Sequence, residues 1–270
     1  MLMILTSLVG MFLAVPGMVD LNVLILGNLG IALVASSGAV VNHLIDRKID
    51  LKMKRTHNRP LPQGRVNITQ TIAFGLGIGI AGMAILLFWV NPLCAWLTLA
   101  SFVGYAFIYT GYLKHATPQN IVIGGLSGAM PPLLGWSAVT GTIESDALIL
   151  VLIIFAWTPP HFWALAIQRK AEYAKSGVPM LPVTHGEHVT KIHILLYTAI
   201  LVIVSVFPFF SGMSGLLYFV SALLLGAGFL AWSTLLMFIP KPTTAMATFR
   251  YSIIYLALLF VSLVVDHYLF

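Results

Sequence analysis

Charge is scarce in this chain: 270 residues carry 14 Lys and Arg and 8 Asp and Glu. A globular protein of that length, at roughly 25% charged residues, would hold about three times as many. So few charges cannot cover a water-facing surface. Cysteine is scarcer still. The single Cys94 excludes an internal disulfide, a secreted disulfide scaffold and a CxxC metal knuckle, and is read as a small core residue. There is no Walker lysine loop, and Gly75–Gly82 lies inside an apolar run instead of between a strand and a helix, so a dinucleotide fingerprint fails on context. No Ser-His-Asp arrangement for nucleophilic catalysis is visible either.

What is present is apolar surface: 59% of the residues are hydrophobic and the mean hydropathy is +0.98. A membrane helix needs ~20 such residues, so the solvent for most of the molecule is lipid. Uncharged runs at 66–113 and 192–240 are each too long for one span, and break at Asn91-Pro92 and Ser211–Gly215, where turn residues cluster. The pattern predicts an all-α, polytopic membrane bundle forming a single domain over 1–270. Nine spans are expected, at about 1–15, 22–43, 68–90, 93–110, 120–140, 147–168, 192–210, 216–239 and 249–268. Glycine-rich stretches at Gly75–Gly79 and Gly124–Gly128 fit close helix packing through small residues.

Orientation follows from where the charges fall. With loop 46–65 placed inside, the alternate loops around Lys114, 169–191 and 241–250 are inside too, and these four hold all 14 basic residues. The other side receives only Asp20, Glu144, Asp146 and Asp266. Anchoring of cytoplasmic loops in a plasma or inner membrane uses every positive charge, so the net charge of +6 does not point to nucleic acid.

Nine of the charges lie between Asp46 and Arg65. At 100° per residue, Asn42, Asp46 and Asp50 fall on one helix face, rising about 6 Å per step. Three hard oxygen donors in a ladder suit Mg²⁺, which keeps waters and shares itself between carboxylates and substrate phosphates. The alternative is a solvated helix end whose acids pair with Arg47, Lys48, Lys52 or Lys54. Lys54, Arg55 and Arg59 follow closely, with Pro60 and Pro62 stiffening the loop. Arg matches phosphate with a planar fork and Lys acts as a point charge, so acids beside bases describe a diphosphate site. A second basic loop supplies Arg169 and Glu172, the one acid before Glu187, and Lys114 adds a cation on the same side. His161, after Pro159-Pro160 at the polar end of an apolar span, reads either as a hydrogen-bonded structural histidine or as a ligand. Trp136, Trp157 and Trp163 read either as cavity lining or as interface anchors.

At these residues the chain resembles the UbiA superfamily of intramembrane prenyltransferases. The resemblance is carried by Asn42–Asp50 running into Lys54-Arg55-Thr56 and Arg59-Pro60-Leu61, by Thr117–Gly125, by Gly128-Ala129-Met130-Pro131-Pro132, by Thr158–Leu165, and by Tyr173 with Gly177–Val183. Within the superfamily these words are similar to the protohaem IX farnesyltransferase family. The resemblance implies an Mg²⁺-dependent enzyme transferring the farnesyl group of farnesyl diphosphate to the 2-vinyl group of haem B, with addition of water, to give haem O and diphosphate. It implies Asn42, Asp46, Asp50 and Glu172 as metal ligands, with Asp46, Asp50 and Lys114 central to catalysis. Lys54, Arg55, Arg59, Lys114 and Arg169 would meet the diphosphate, and His161 the haem. A later enzyme of haem A synthesis is an implied partner. Glu172 stands where the family usually has Asp, and the family usually begins with a longer lead, so the first span is expected to be short or truncated. A UbiA-type enzyme acting on an aromatic or quinone precursor is the nearest alternative. A secondary transporter is a more distant one, as it would place its acids near mid-membrane.

Overall fold

The computed structural model describes residues 2–54, 56–239 and 241–269, and within these the only regular structure is helical. In chain order the helices are α1 (Leu2–Leu13), α2 (Leu21–Asp50), α3 (Ile68–Trp89), α4 (Pro92–Val103), a π-helix (Gly104–Leu113), α5 (Lys114–Ala116), α6 (Asn120–Ala129) and α7 (Pro131–Thr140). There follow α8 (Ser145–Gln168), α9 (Lys170–Ser176), α10 (Leu181–Thr184), α11 (Gly186–Ser205), α12 (Phe207–Phe210), α13 (Leu216–Phe238) and α14 (Thr244–Leu269).

Eight segments among the described residues are long and apolar enough to cross a bilayer, several of them built from two or three helices in line. The ninth expected span is α1, whose 12 residues reach only about 18 Å, against ~30 Å of hydrocarbon. The second span does not stop near residue 43 but continues as one 30-residue helix to Asp50. The expected 93–110 runs to Ala116 through the π-helix, and 120–140 is interrupted at Met130, where Pro131 and Pro132 open α7. Proline carries no N–H and suits the first helical turn.

The helix ends are marked by side chains that satisfy orphan N–H groups. Asp20 accepts from the amides of Asn22 and Val23 before α2. Asn67 and Gln70 form a reciprocal capping box at α3, and Asn91 caps α4 while donating to the carbonyls of Ser137 and Ala138 in α7. At the start of α13 the buried carboxylate of Asp266, from α14, accepts from the amides of Gly215 and Tyr218.

The core lies where α8 meets α11, α13 and α14: Leu150, Ile153, Trp157, Leu201, Phe229, Tyr255 and Phe260 are buried together. α1 lies against α7 with backbones nearly touching. A Cβ added at Gly10 would strike the carbonyl of Pro132, and one at Gly135 the carbonyl of Ser7. The belt facing outward is apolar, as at Phe74, Ile80 and Phe88 of α3. Within the bundle, α2, the π-helix, α6 and α8 surround a cavity that is also lined by Met53, Thr56 and Arg59 just beyond the end of α2.

Candidate functional site

The cavity has a volume of about 480 Å³ and two chemically distinct ends. Its polar end is built by the last turns of α2. Asn42, Asp46 and Asp50 all line it, as their four-residue spacing on one helix face requires. Asp46 and Asp50 are only 2% and 3% exposed, so burial forces each to find a cation. They do not take the neighbouring Arg47, Lys48, Lys52 or Lys54. Asp46 Oδ2 is paired with Lys114 Nζ and also accepts from Asn42 Nδ2 at 2.8 Å. Asp50 Oδ2 is paired with Arg59 at 2.7 Å. The solvated-helix-end alternative is therefore not what the fold builds.

Each partner is held by local structure. Lys114 follows the π-helix, a winding often found at functional sites, in which bonds run one residue further along the chain. The Lys114 amide donates to the carbonyl of Tyr109, and Thr110 Oγ1 donates to that of Tyr105 at 2.9 Å. Thr110 in turn receives Asn42 Nδ2 at 3.3 Å, tying the π-helix to the ladder on α2. The rings of Tyr105 and Tyr109 stack at 5.9 Å and both line the cavity. Tyr109 fits there because residue 124 is glycine: a Cβ would strike its ring. Gly125 likewise lets α6 approach Thr158 of α8. Arg59 is presented by a tight segment in which Thr56 Oγ1 donates to the carbonyl of Asp50.

The other end of the cavity is aromatic and apolar, with Ile154, Trp157, His161 and Phe162 of α8, Leu256 of α14 and Leu2 and Met3 of α1. Trp157 is thus a lining residue, whereas Trp136 and Trp163 are buried away from it and none of the three is an interface anchor.

The remaining expected site residues fall elsewhere. Lys54 is exposed and Arg169 half-buried, and neither lines the cavity. Arg55 lies outside the described residues. Glu172, on α9, has Oε2 buried without a hydrogen-bond partner, but it does not line the cavity. Among the described residues no three His, Cys, Asp or Glu side chains gather as a metal-binding group. The carboxylate and amide side chains among the described residues that line the cavity are Asn42, Asp46 and Asp50, and one of them is incomplete: Asp46 Oδ1 is buried and accepts nothing. An orphaned buried acceptor costs about 1–3 kcal/mol or more, and a hard divalent cation that keeps waters and takes phosphate oxygens would complete it. The donor set fits Mg²⁺. Tyr105, Tyr109 and Thr110 are members that sequence reasoning gave no role, since uncharged side chains within an apolar run leave little mark on hydropathy, and Thr56 was noted only as part of a family word.

The model of the UbiA prenyltransferase family matches residues 3–264. The chain belongs to that family. A protohaem IX farnesyltransferase of Saccharophagus degradans is 63% identical over 268 residues, covering 99% of this chain and 88% of that one. Protohaem IX farnesyltransferase 1 of Pseudomonas fluorescens is also 63% identical, over 99% and 90%. Among solved structures, the fold of this UbiA family member is similar to a digeranylgeranylglyceryl phosphate synthase, with a TM-score of 0.83, 20% identity and coverage of 98% and 93%. A UbiA homologue of Archaeoglobus fulgidus bound to GPP and Mg²⁺ aligns with a TM-score of 0.65 and 16% identity, over 97% and 95%.

Proposed function

We propose that this chain is a protohaem IX farnesyltransferase, transferring the farnesyl group of farnesyl diphosphate to a vinyl group of haem B with addition of water, giving haem O and diphosphate. The relatives at 63% identity over nearly the whole chain support the activity. The observation within the molecule that carries it is one cavity with paired buried acids and bases at one end and an aromatic, histidine-bearing wall at the other.

The reaction breaks the allylic C–O bond of farnesyl diphosphate, joins the freed carbon to the vinyl group and adds water across it, releasing a proton. Negative charge grows on the departing diphosphate. Mg²⁺, when bound, supplies charge neutralisation there. Asp46, through Oδ1, with Asp50 and Asn42, would hold it. Lys114 and Arg59 each keep spare N–H donors beyond those on their carboxylates, and these would stabilise the leaving group. Glu172 would act from outside this group, with Tyr173 beside it lining the cavity. The apolar lining accommodates the farnesyl hydrocarbon, and the walls keep the allylic cation from water until the new carbon–carbon bond has formed.

The basic loop 46–65, which adjoins the helix end carrying Asp46 and Asp50, supports a site that faces the cytoplasm. The test is to incubate membranes containing the protein with haem B, farnesyl diphosphate and Mg²⁺ and to assay haem O by mass. Haem O is expected, and its loss on chelation of Mg²⁺. Prenylation of a quinone precursor with haem B untouched would overturn the reading.

A further inference from the structure

The diphosphate chemistry leaves unused the histidine that lines the cavity, His161. His161 sits in α8 seven residues before Gln168, roughly 10 Å inside the helix end at 1.5 Å per residue. Its ring is held between Trp157, at 4.1 Å and 20°, and Phe249 of α14, at 4.6 Å and 29°. Nδ1 lies 2.7 Å from Ser252 Oγ of α14. The same hydroxyl lies 2.6 Å from the carbonyl oxygen of Phe249.

These two distances fix the proton. A carbonyl only accepts and a serine hydroxyl has one hydrogen, so that hydrogen points at Phe249 and Ser252 Oγ accepts from His161. The imidazole proton is on Nδ1, and Nε2 keeps its lone pair. Nε2 has no hydrogen-bond partner among the described residues and belongs to a side chain lining the cavity. Trp157 Nε1 donates to the backbone oxygen of the same Ser252 at 2.7 Å, so one residue of α14 anchors both the imidazole and the ring it stacks on.

A neutral imidazole with a free lone pair, on a ring that lines the cavity, is a Lewis base. The ligand chemistry it fits is the iron of a metalloporphyrin, for which histidine is a common axial ligand. Ligating histidines almost always donate their other N–H to an acceptor that fixes tautomer and orientation. We infer that Ser252 is a positioning residue: by accepting from Nδ1 it makes His161 present Nε2 as an axial ligand to the iron of the porphyrin substrate. The inference rests on the haem-acceptor reading above.

The test is titration of ferric haem B into the purified full chain in detergent, read by the Soret band. Resonance Raman of the dithionite-reduced complex then gives the iron–imidazole stretch. The wild type should show imidazole ligation. His161→Ala should lose it, and added imidazole should restore it. Ser252→Ala removes the acceptor while leaving the ring in place, and should weaken haem binding about 10–100-fold and lower the iron–imidazole frequency. A His161→Ala complex with the wild-type axial signature would overturn the ligand role. A Ser252→Ala complex with wild-type affinity and frequency would overturn the positioning role, even if its melting temperature fell. Failure of the wild type to bind haem B at all would instead sink the proposed function.

Discussion

Asp46 is a buried carboxylate with only one of its two oxygens partnered. One oxygen is shared between Lys114 and Asn42, and the other is buried with nothing to accept. Asp46→Asn keeps the volume and removes the charge, so kcat for haem O formation should fall about 10²–10³-fold, the range seen when one preorganised electrostatic group is lost. Circular dichroism should show the helix content unchanged. Arg59→Lys keeps the charge of the Asp50 partner but loses the planar fork. A charge-assisted hydrogen bond is worth about 1.5–3 kcal/mol, so kcat/KM for farnesyl diphosphate should drop roughly 10–100-fold, measured by steady-state assay. At this scale the ladder of Asn42, Asp46 and Asp50 was legible because its spacing is the period of a helix. That Arg59 and Lys114, not the nearer bases, complete it was only half legible, since their pairing depends on a turn and on a helix 68 positions away. Ser252 gave no signal: a lone hydroxyl in an apolar span is ordinary until its neighbours are known.

Elements position these residues, and the sequence spoke unevenly about them. The breaks at Asn91-Pro92 and 211–215 were readable because capping and turn residues mark them. The π-helix was not, because its hydropathy is continuous with α4 and the extra residue per turn is dictated by what packs around it. The short α1 illustrates the same point from packing. It contributes Leu2, Met3 and Thr6 to the cavity and is held by backbone-to-backbone approach at Gly10 and Gly135. A main-chain carbonyl cannot rotate aside, so Gly135→Ala should cost about 1–3 kcal/mol by overpacking. The expected result is a lower melting temperature in a thermal shift measurement. An unchanged melting temperature would mean that α1 yields freely to the intruding methyl.

Taken whole, the molecule is an envelope of apolar helices around one polar seam, and its sidedness is testable because it is almost free of cysteine. Cys94 is buried and bonded to the carbonyl of Leu134, so it should not react with a membrane-impermeant maleimide. Thr142→Cys, exposed in the turn between α7 and α8, should be labelled on intact cells, and Asn58→Cys, exposed near Arg59, only after permeabilisation. The reverse pattern would invert the orientation. The orientation read from the charges is what the labelling tests, whereas the fold class was readable at this scale because charge is sparse and the apolar runs are long. The depth of the cavity was not, because it arises from which faces of α2, the π-helix, α6 and α8 turn inward. Asp46 with Lys114 and Asp50 with Arg59 are two opposed pairs whose formal charges cancel. A metal ion arriving alone meets two cations, and a diphosphate arriving alone meets two anions. Each is welcome chiefly in the other's company. Calorimetry should accordingly find weak binding of Mg²⁺ by itself, weak binding of farnesyl diphosphate by itself, and strong mutual linkage when both are present, so that the resting site behaves as a receptor for a salt and not for an ion.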